Sequence, residues 1–275
     1  MPFTPSHAVV ALPFLRTPLV PAAIAVGAMT PDLPLFVRGI VPSYGTTHSP
    51  AWLPLTVLMA LALLLLWRCI LRPAAPALLP RWIAERLPEV WEARPGAGLR
   101  ETFATRSEPS RPSVRGVVLV LVSLAIGVTT HLFWDAFTHE GRWGVVLVPA
   151  LGEEWGPLPG LKWAQHGSSA IGLVILAVWA TRWIAHRPRR PVVSSVIPAL
   201  RWCWWASLPV LLIGAWVGGV LSLGPLTTEF TAAHLAYGVL PSATAVWAAV
   251  TMALAAAIVL PHRKNARHAR RSRSV

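Results

Sequence analysis

Gly127-Val-Thr-Thr-His131-Leu-Phe-Trp-Asp135-Ala-Phe-Thr-His139-Glu-Gly141 closes an apolar run that begins near Gly116. The run is long enough to cross a bilayer, which takes about 20 helical residues. It nevertheless ends in His-x-x-x-Asp-x-x-x-His, groups that a membrane helix carries only at a cost. On an α-helix, positions four apart stack on one face, so His131, Asp135 and His139 share a side. Imidazole nitrogen and carboxylate oxygen are both zinc ligands, and this spacing lets two of them converge on one ion. An ordinary helix end, with His and Asp among headgroups and Gly141 as the cap, has the same local pattern. Asp32 and Asp135 are the only aspartates in the chain.

Outward from this stretch, 55% of the 275 residues are hydrophobic and 13% charged, and several apolar runs match a bilayer in length. The fold class is therefore an all-α integral membrane protein. Five clear spans are expected, at about 51–67, 116–137, 168–183, 204–223 and 236–260. The net charge of +13 is concentrated between the apolar runs, where it orients the chain against the membrane, so nucleic-acid binding is excluded. Cys69 and Cys203 form no Cys-x-x-Cys pair and read as packing residues. The N-terminus has no basic region before an apolar core and no cleavage pattern, so no cleaved signal peptide is expected.

Residues 1–40 are apolar but interrupted by Pro5, Pro13, Pro18, Pro21, Pro31 and Pro34, with Arg16 in the middle. One straight span would hold Arg16 near the bilayer centre at about 2.5–3.5 kcal/mol. A broken hairpin of two short helices, 7–15 and 18–29, avoids that and brings His7 and Asp32 to similar depth. The alternative is one further kinked span, which separates them. Residues 68–115 form a basic loop in which 79–91 is expected to be a short amphipathic helix and 94–113 a flexible linker. An acidic-lipid role for this loop competes with simple control of topology. The chain reads as a single polytopic domain over 1–260, followed by a basic disordered tail over 261–275.

Alternate loops are rich in Lys and Arg, which assigns them and the C-terminus to the cytoplasm of a multi-pass plasma-membrane protein. His48, His131, Asp135, His139, His166 and His234 then gather at the extracytoplasmic ends of their helices, joined by His7 and Asp32 under the hairpin reading. Because that orientation uses only Lys and Arg, the gathering of His and Asp supports a site independently.

The motifs also carry a resemblance. Met1-Pro-Phe-Thr-Pro-Ser-His7, Trp134-Asp-Ala-Phe-Thr-His-Glu-Gly-Arg-Trp143 and Lys162-Trp-Ala-Gln-His-Gly-Ser-Ser169 are similar to an uncharacterised family of bacterial integral membrane proteins, a numbered domain of unknown function. More distantly, Ser6-His7, Pro31-Asp32, Thr47-His48-Ser49 and His131-x-x-x-Asp135 followed by Gly141 and Pro149 resemble the bacterial inner-membrane metal-dependent hydrolases, which are compared with zinc-dependent phospholipase C. That family has a second acidic residue near Pro-Asp and a His-Arg-Gly lead-in to Thr-His-Ser. This chain reads Pro31-Asp-Leu-Pro34 and Gly45-Thr-Thr-His48, which lacks ligand candidates for a second metal and leaves a single-metal site open.

The metal candidates are His7, Asp32, His48, His131, Asp135 and His139, a mixed nitrogen and oxygen set that fits zinc best among divalent ions, with manganese or iron as alternatives. An ion with an open position lowers the pKa of bound water towards about 7. Glu140, Glu153 and Glu154 are the candidate catalytic bases, and Arg142 or Lys162 could hold a phosphate or carboxylate. Helix-end depth favours a lipid phosphodiester or ester, with membrane lipids as partners; oligomeric state is not set. No Gly-x-Ser-x-Gly, P-loop or dinucleotide fingerprint occurs, and Ser168 and Ser169 read as packing residues. The competing class is a non-catalytic transporter or scaffold, in which the cluster handles protons or metal or ties helices together. No inverted repeat favours transport. Gly214, Gly218 and Gly219 would permit close helix packing in either class.

Overall fold

The computed structural model describes residues 4–192 and 195–260; the predicted tail lies outside them. Five helices are long and apolar enough to cross a membrane. In chain order, with a shorter helix α1 (Pro21–Met29) before them, they are α2 (Pro50–Leu78), α3 (Val114–Thr138), α4 (Gly160–Ala185), α5 (Pro198–Leu223) and α6 (Ala232–Val259). Among the described residues there is no strand, only isolated bridges at Ala104–Pro112 and Glu154–Pro159. This is an all-α integral membrane fold, as the sequence implies.

The chain forms two compact units. The first contains the N-terminal hairpin, the start of α2, and α3 and α4. A 3-10 helix, Thr4–Phe14, turns back at residues 15–20 into α1. Pro21 opens α1, where a missing N–H costs nothing. Across the turn, the Thr4 hydroxyl donates to Asp32 Oδ2 at 2.7 Å, so the N-terminal segment is a hairpin and not a single span.

The packing of α1 on α3 sets the core of this unit. Ala23, Ile24, Ala28, Val120, Leu124 and Val128 are fully buried. Two glycines allow the approach: a Cβ on Gly27 would lie 2.4 Å from the Leu124 carbonyl oxygen, and one on Gly127 would lie 2.2 Å from that of Ile24. The obstructing atoms are backbone, so no side-chain rotation relieves either clash. In contrast, Gly214 and Gly218 face open space and Gly219 packs against the side chains of Leu235 and Val239. The close helix contact therefore lies at Gly27 and Gly127, each four residues after another small residue, Ala23 and Ser123.

The second unit comprises residues 35–37, 66–98 and 187–275 as far as they are described. Here α5 and α6 are joined by Trp204 Nε1 donating to Thr251 Oγ1 at 3.0 Å and Trp247 Nε1 donating to Ser207 Oγ at 2.9 Å. Arg190 pairs with Glu92.

Three expectations change. The first span does not stop at residue 67 but continues to Leu78, through Arg68 and Arg72. A π-turn at Trp67–Leu71 shifts the hydrogen-bond ladder just ahead of Pro73, which has no N–H to give it. The basic loop thus begins later. The expected amphipathic helix at 79–91 is instead a short α-turn, Arg81–Ala84, and a 3-10 turn, Glu89–Glu92, each preceded by a proline in extended conformation. The region expected to be a flexible linker contains a helix, Pro95–Thr102.

Candidate metal centre

Four buried side chains meet in the first unit: Asp32, His48, His131 and Asp135. Each arrives from a helix terminus or a turn. Helix α1 ends before Pro31, leaving Asp32 in the 3-10 turn Thr30–Asp32. Ser43 caps the short helix Tyr44–Thr47 through Thr46 N–H, and His48 follows directly. His131 and Asp135 lie one turn apart near the C-terminal end of α3.

The hydrogen bonds around the two imidazoles fix their tautomers. His131 Nδ1 lies 2.7 Å from the carbonyl oxygen of Ala28, and His48 Nδ1 lies 3.0 Å from that of Tyr44. A carbonyl only accepts, so both Nδ1 atoms carry the proton and both Nε2 atoms present a lone pair. Those Nε2 atoms are 3.2 Å apart. Two lone pairs at that distance repel each other, and either a metal ion or a shared proton between them relieves the repulsion.

The carboxylates complete the set. Asp32 Oδ1 is 3.6 Å from His48 Nε2 and 3.7 Å from His131 Nε2; Asp135 Oδ2 is 3.4 Å and 3.5 Å from the same atoms. All four donor atoms lie within 4.8 Å of one another. Zinc bonds of about 2.0–2.2 Å at tetrahedral angles demand donor separations of about 3.3–3.6 Å. The five individual distances fall on or within about 0.1 Å of that range. Asp32 Oδ1, one of the donor atoms, is buried with no hydrogen-bond partner among the described residues, which suits a ligand to an ion; Asp135 Oδ1, the oxygen outside the donor set, is buried and unpartnered as well.

A surrounding ring holds the donors in place. Thr4 donates to Asp32, and the Thr47 hydroxyl donates to the Pro31 carbonyl at 2.7 Å. The Tyr44 ring stacks on His48, and its hydroxyl reaches Asp135 Oδ2 at 3.5 Å. Burial, reinforced by the neighbouring Asp135 carboxylate, pushes the Tyr44 pKa up, so the phenol keeps its proton.

Of the other candidates, His7 stacks against His131 with ring centroids 4.1 Å apart, and its Nε2 is buried without a partner among the described residues. It lies outside the four-donor group. His139 flanks Asp135, with Nδ1 3.5 Å from Oδ2, and faces the fully buried Gln165 through Nε2 at 3.4 Å. Burial pushes the His139 pKa down. Glu140, Glu153 and Glu154 are exposed and do not line the cavity at the cluster. Lys162 donates to Gln165 Oε1. His166 is exposed, and His234 serves in a capping box with Thr231. Thr4, Tyr44 and Gln165 were missed from sequence, although Thr4 and Gln165 lay within motifs already singled out.

A cavity of about 290 Å³ reaches His48 and Asp135. Its wall is largely apolar, with Leu53, Leu132, Phe133 and Trp143, and Arg142 supplies a positive charge.

The fold and site define an integral membrane protein with a buried His/Asp cluster suited to a metal ion. Residues 1–262 match the family described as domain of unknown function DUF4184, and the chain belongs to that family. No curated protein and no solved structure matches it.

Proposed function

We propose that the chain is a membrane-embedded metal-dependent hydrolase, with one divalent ion, zinc by its donor set, held by Asp32, His48, His131 and Asp135. The observation that carries this reading is the pair of Nε2 lone pairs 3.2 Å apart, flanked by two carboxylates at ligand-like separations. When bound, such an ion supplies Lewis acidity towards a water molecule and an ester or phosphoryl oxygen.

The chain's own groups supply the remaining functions. Asp135 Oδ1, buried and without a donor, is placed to take a proton from water, a role for which the exposed Glu140, Glu153 and Glu154 are less well positioned. Arg142, at the mouth beside His48 and Asp135, suits an anionic ester. The apolar wall, with Phe133 and Trp143 more than half exposed, suits an acyl chain arriving from the bilayer. A lipid phosphodiester or ester is therefore the proposed substrate class. The charge pattern of the loops supports an extracytoplasmic site in the cell membrane and a cytoplasmic C-terminus.

A second reading rests on the same 3.2 Å separation, which also fits one proton shared between the imidazoles. That arrangement belongs to a non-catalytic protein, a transporter or scaffold using the cluster for protons or packing. To test for hydrolysis, zinc-loaded protein in detergent is offered phospholipid and ester probes. The hydrolase reading predicts turnover that chelator removes and zinc restores. Absence of turnover in protein shown to hold stoichiometric zinc would remove hydrolysis while leaving the metal centre.

A further inference from the structure

The opposite end of α3 carries a second cavity, of about 430 Å³, whose lining includes Arg16, Thr17, Thr105, Arg106, Ser107 and Arg115. We propose that this pocket binds a phosphate group, held at the level of the lipid headgroups on the side of the membrane away from the metal centre.

Charge and position carry the inference. Three arginines and three hydroxyl-bearing residues line one space and no carboxylate does; the Thr105 and Ser107 hydroxyls bond each other at 3.0 Å. Among the described residues, Arg16, Arg106 and Arg115 have no carboxylate partner. Guanidinium groups match phosphate oxygens in a fork geometry, and hydroxyls add donors without adding charge. Arg115 is the second residue of α3, a candidate span, so the pocket sits where such a helix leaves the hydrocarbon. Asp135 lies about 30 Å away along the same helix, at about 1.5 Å per residue. The two sites do not overlap.

The pocket is also built. Arg16 and Thr17 lie in the hairpin turn, which the Thr17 hydroxyl closes by donating to the Phe14 carbonyl at 2.9 Å. Arg106 donates to the Leu15 carbonyl at 3.0 Å, tying the loop before α3 to that turn. The loop returns to α3 through Ser113 N–H donating to the Phe103 carbonyl at 2.9 Å. Gly116 makes room for it: a Cβ there would lie 2.0 Å from the Phe103 oxygen. Three separate segments thus hold three like charges around one cavity, an arrangement that a bound anion offsets.

Two sources supply such a phosphate, an anionic phospholipid headgroup or free phosphate. Full-length protein in detergent is titrated by native mass spectrometry with phosphatidylglycerol and with diacylglycerol, which has the same chains but no phosphate, and by calorimetry with inorganic phosphate. The expected result is a preference for phosphatidylglycerol over diacylglycerol of about tenfold or more, lost in the combined Arg16→Gln, Arg106→Gln and Arg115→Gln variant and partly retained in the corresponding Lys variant. Binding of inorganic phosphate without that lipid preference, abolished by the same substitutions, assigns the site to free phosphate. If the triple variant fails to fold, Arg115→Gln alone is read, with an expected weakening of about threefold, against Arg189→Gln as a surface-charge control. The proposal is overturned if wild-type protein binds neither ligand, if the folded Gln variant binds as wild type does, or if Arg189→Gln weakens binding as much as Arg115→Gln.

Discussion

The two ends of α3 solve opposite problems with ionisable residues. At its C-terminal end His131 and Asp135 are 0% and 3% exposed, and every polar atom there must find a partner inside the protein. The backbone carbonyls of Ala28 and Tyr44 orient the imidazoles, hydroxyls orient the carboxylates, and one donor atom from each of the four residues lies within 4.8 Å of the others. At the N-terminal end Arg115, Arg106 and Arg16 are exposed. Water can satisfy them, so apart from the Arg106 contact with the Leu15 carbonyl they need no internal partners and can wait for an anion. A dry cluster of mixed charge specifies an ion by geometry, whereas a wet cluster of one sign specifies only charge and reach.

The largest expected effect is on the contact that brings the dry end together. Gly127→Ala forces a methyl group against the Ile24 carbonyl, and overpacking of this kind costs about 1–3 kcal/mol. Thermal unfolding followed by circular dichroism should show a lowered midpoint and reduced metal retention, since His131 lies one turn further along. Gly214→Ala, facing open space, should leave the midpoint unchanged. Equal behaviour of the two variants would remove the α1–α3 approach as the determinant of the site.

A smaller change follows from loosening the ring around the donors. Thr4→Val or Thr47→Val should weaken metal binding by about 10–100-fold, as removal of groups that orient ligands does elsewhere, with little change in unfolding temperature. Competition with a chelator of known affinity measures it. Unchanged affinity would mean that the donors hold their positions without these hydroxyls.

Arg142 separates substrate binding from metal binding. Arg142→Gln should raise KM for an anionic lipid probe by about tenfold while leaving metal content and the KM for a neutral ester unchanged. A fall in metal content instead would place Arg142 in the scaffold of the cluster.

The smallest effect concerns pH. Burial holds the His139 pKa below its ordinary value of 6.5. The folded protein therefore takes up this proton less readily than the unfolded chain, and the stability linked to it is complete above pH 6.5 and declines as the pH falls below that value. In metal-free protein, His139→Gln should flatten the decline in unfolding midpoint between pH 6.5 and more acidic values. An unaltered slope would assign the decline to other groups.

Legibility from sequence followed the same division. The spans were readable because hydropathy and length are local properties, and the convergence of Asp32, His48, His131 and Asp135 was readable because each lay beside a proline, a turn or a helix end. What organises them was not. Ala23 and Gly27, like Ser123 and Gly127, fall at the spacing of close helix packing, but which two backbones touch there is set by a partner helix remote in sequence. Thr4 and Tyr44 each act through a single hydroxyl at the first position of a short helix, and one isolated hydroxyl carries no periodic signal. The end of the first span was misplaced because Arg68 and Arg72 look like a boundary, while a π-turn accommodates Pro73 and carries the helix on to Leu78.

The most direct test of the metal centre is elemental mass spectrometry on protein purified in detergent without chelator, alongside His131→Ala and Asp135→Ala. Wild-type protein should carry close to one zinc, manganese or iron per chain, and both variants should lose it while remaining folded. Wild-type protein free of metal after resupply, or variants that retain it in full, would contradict the metal centre and leave the shared-proton cluster in its place.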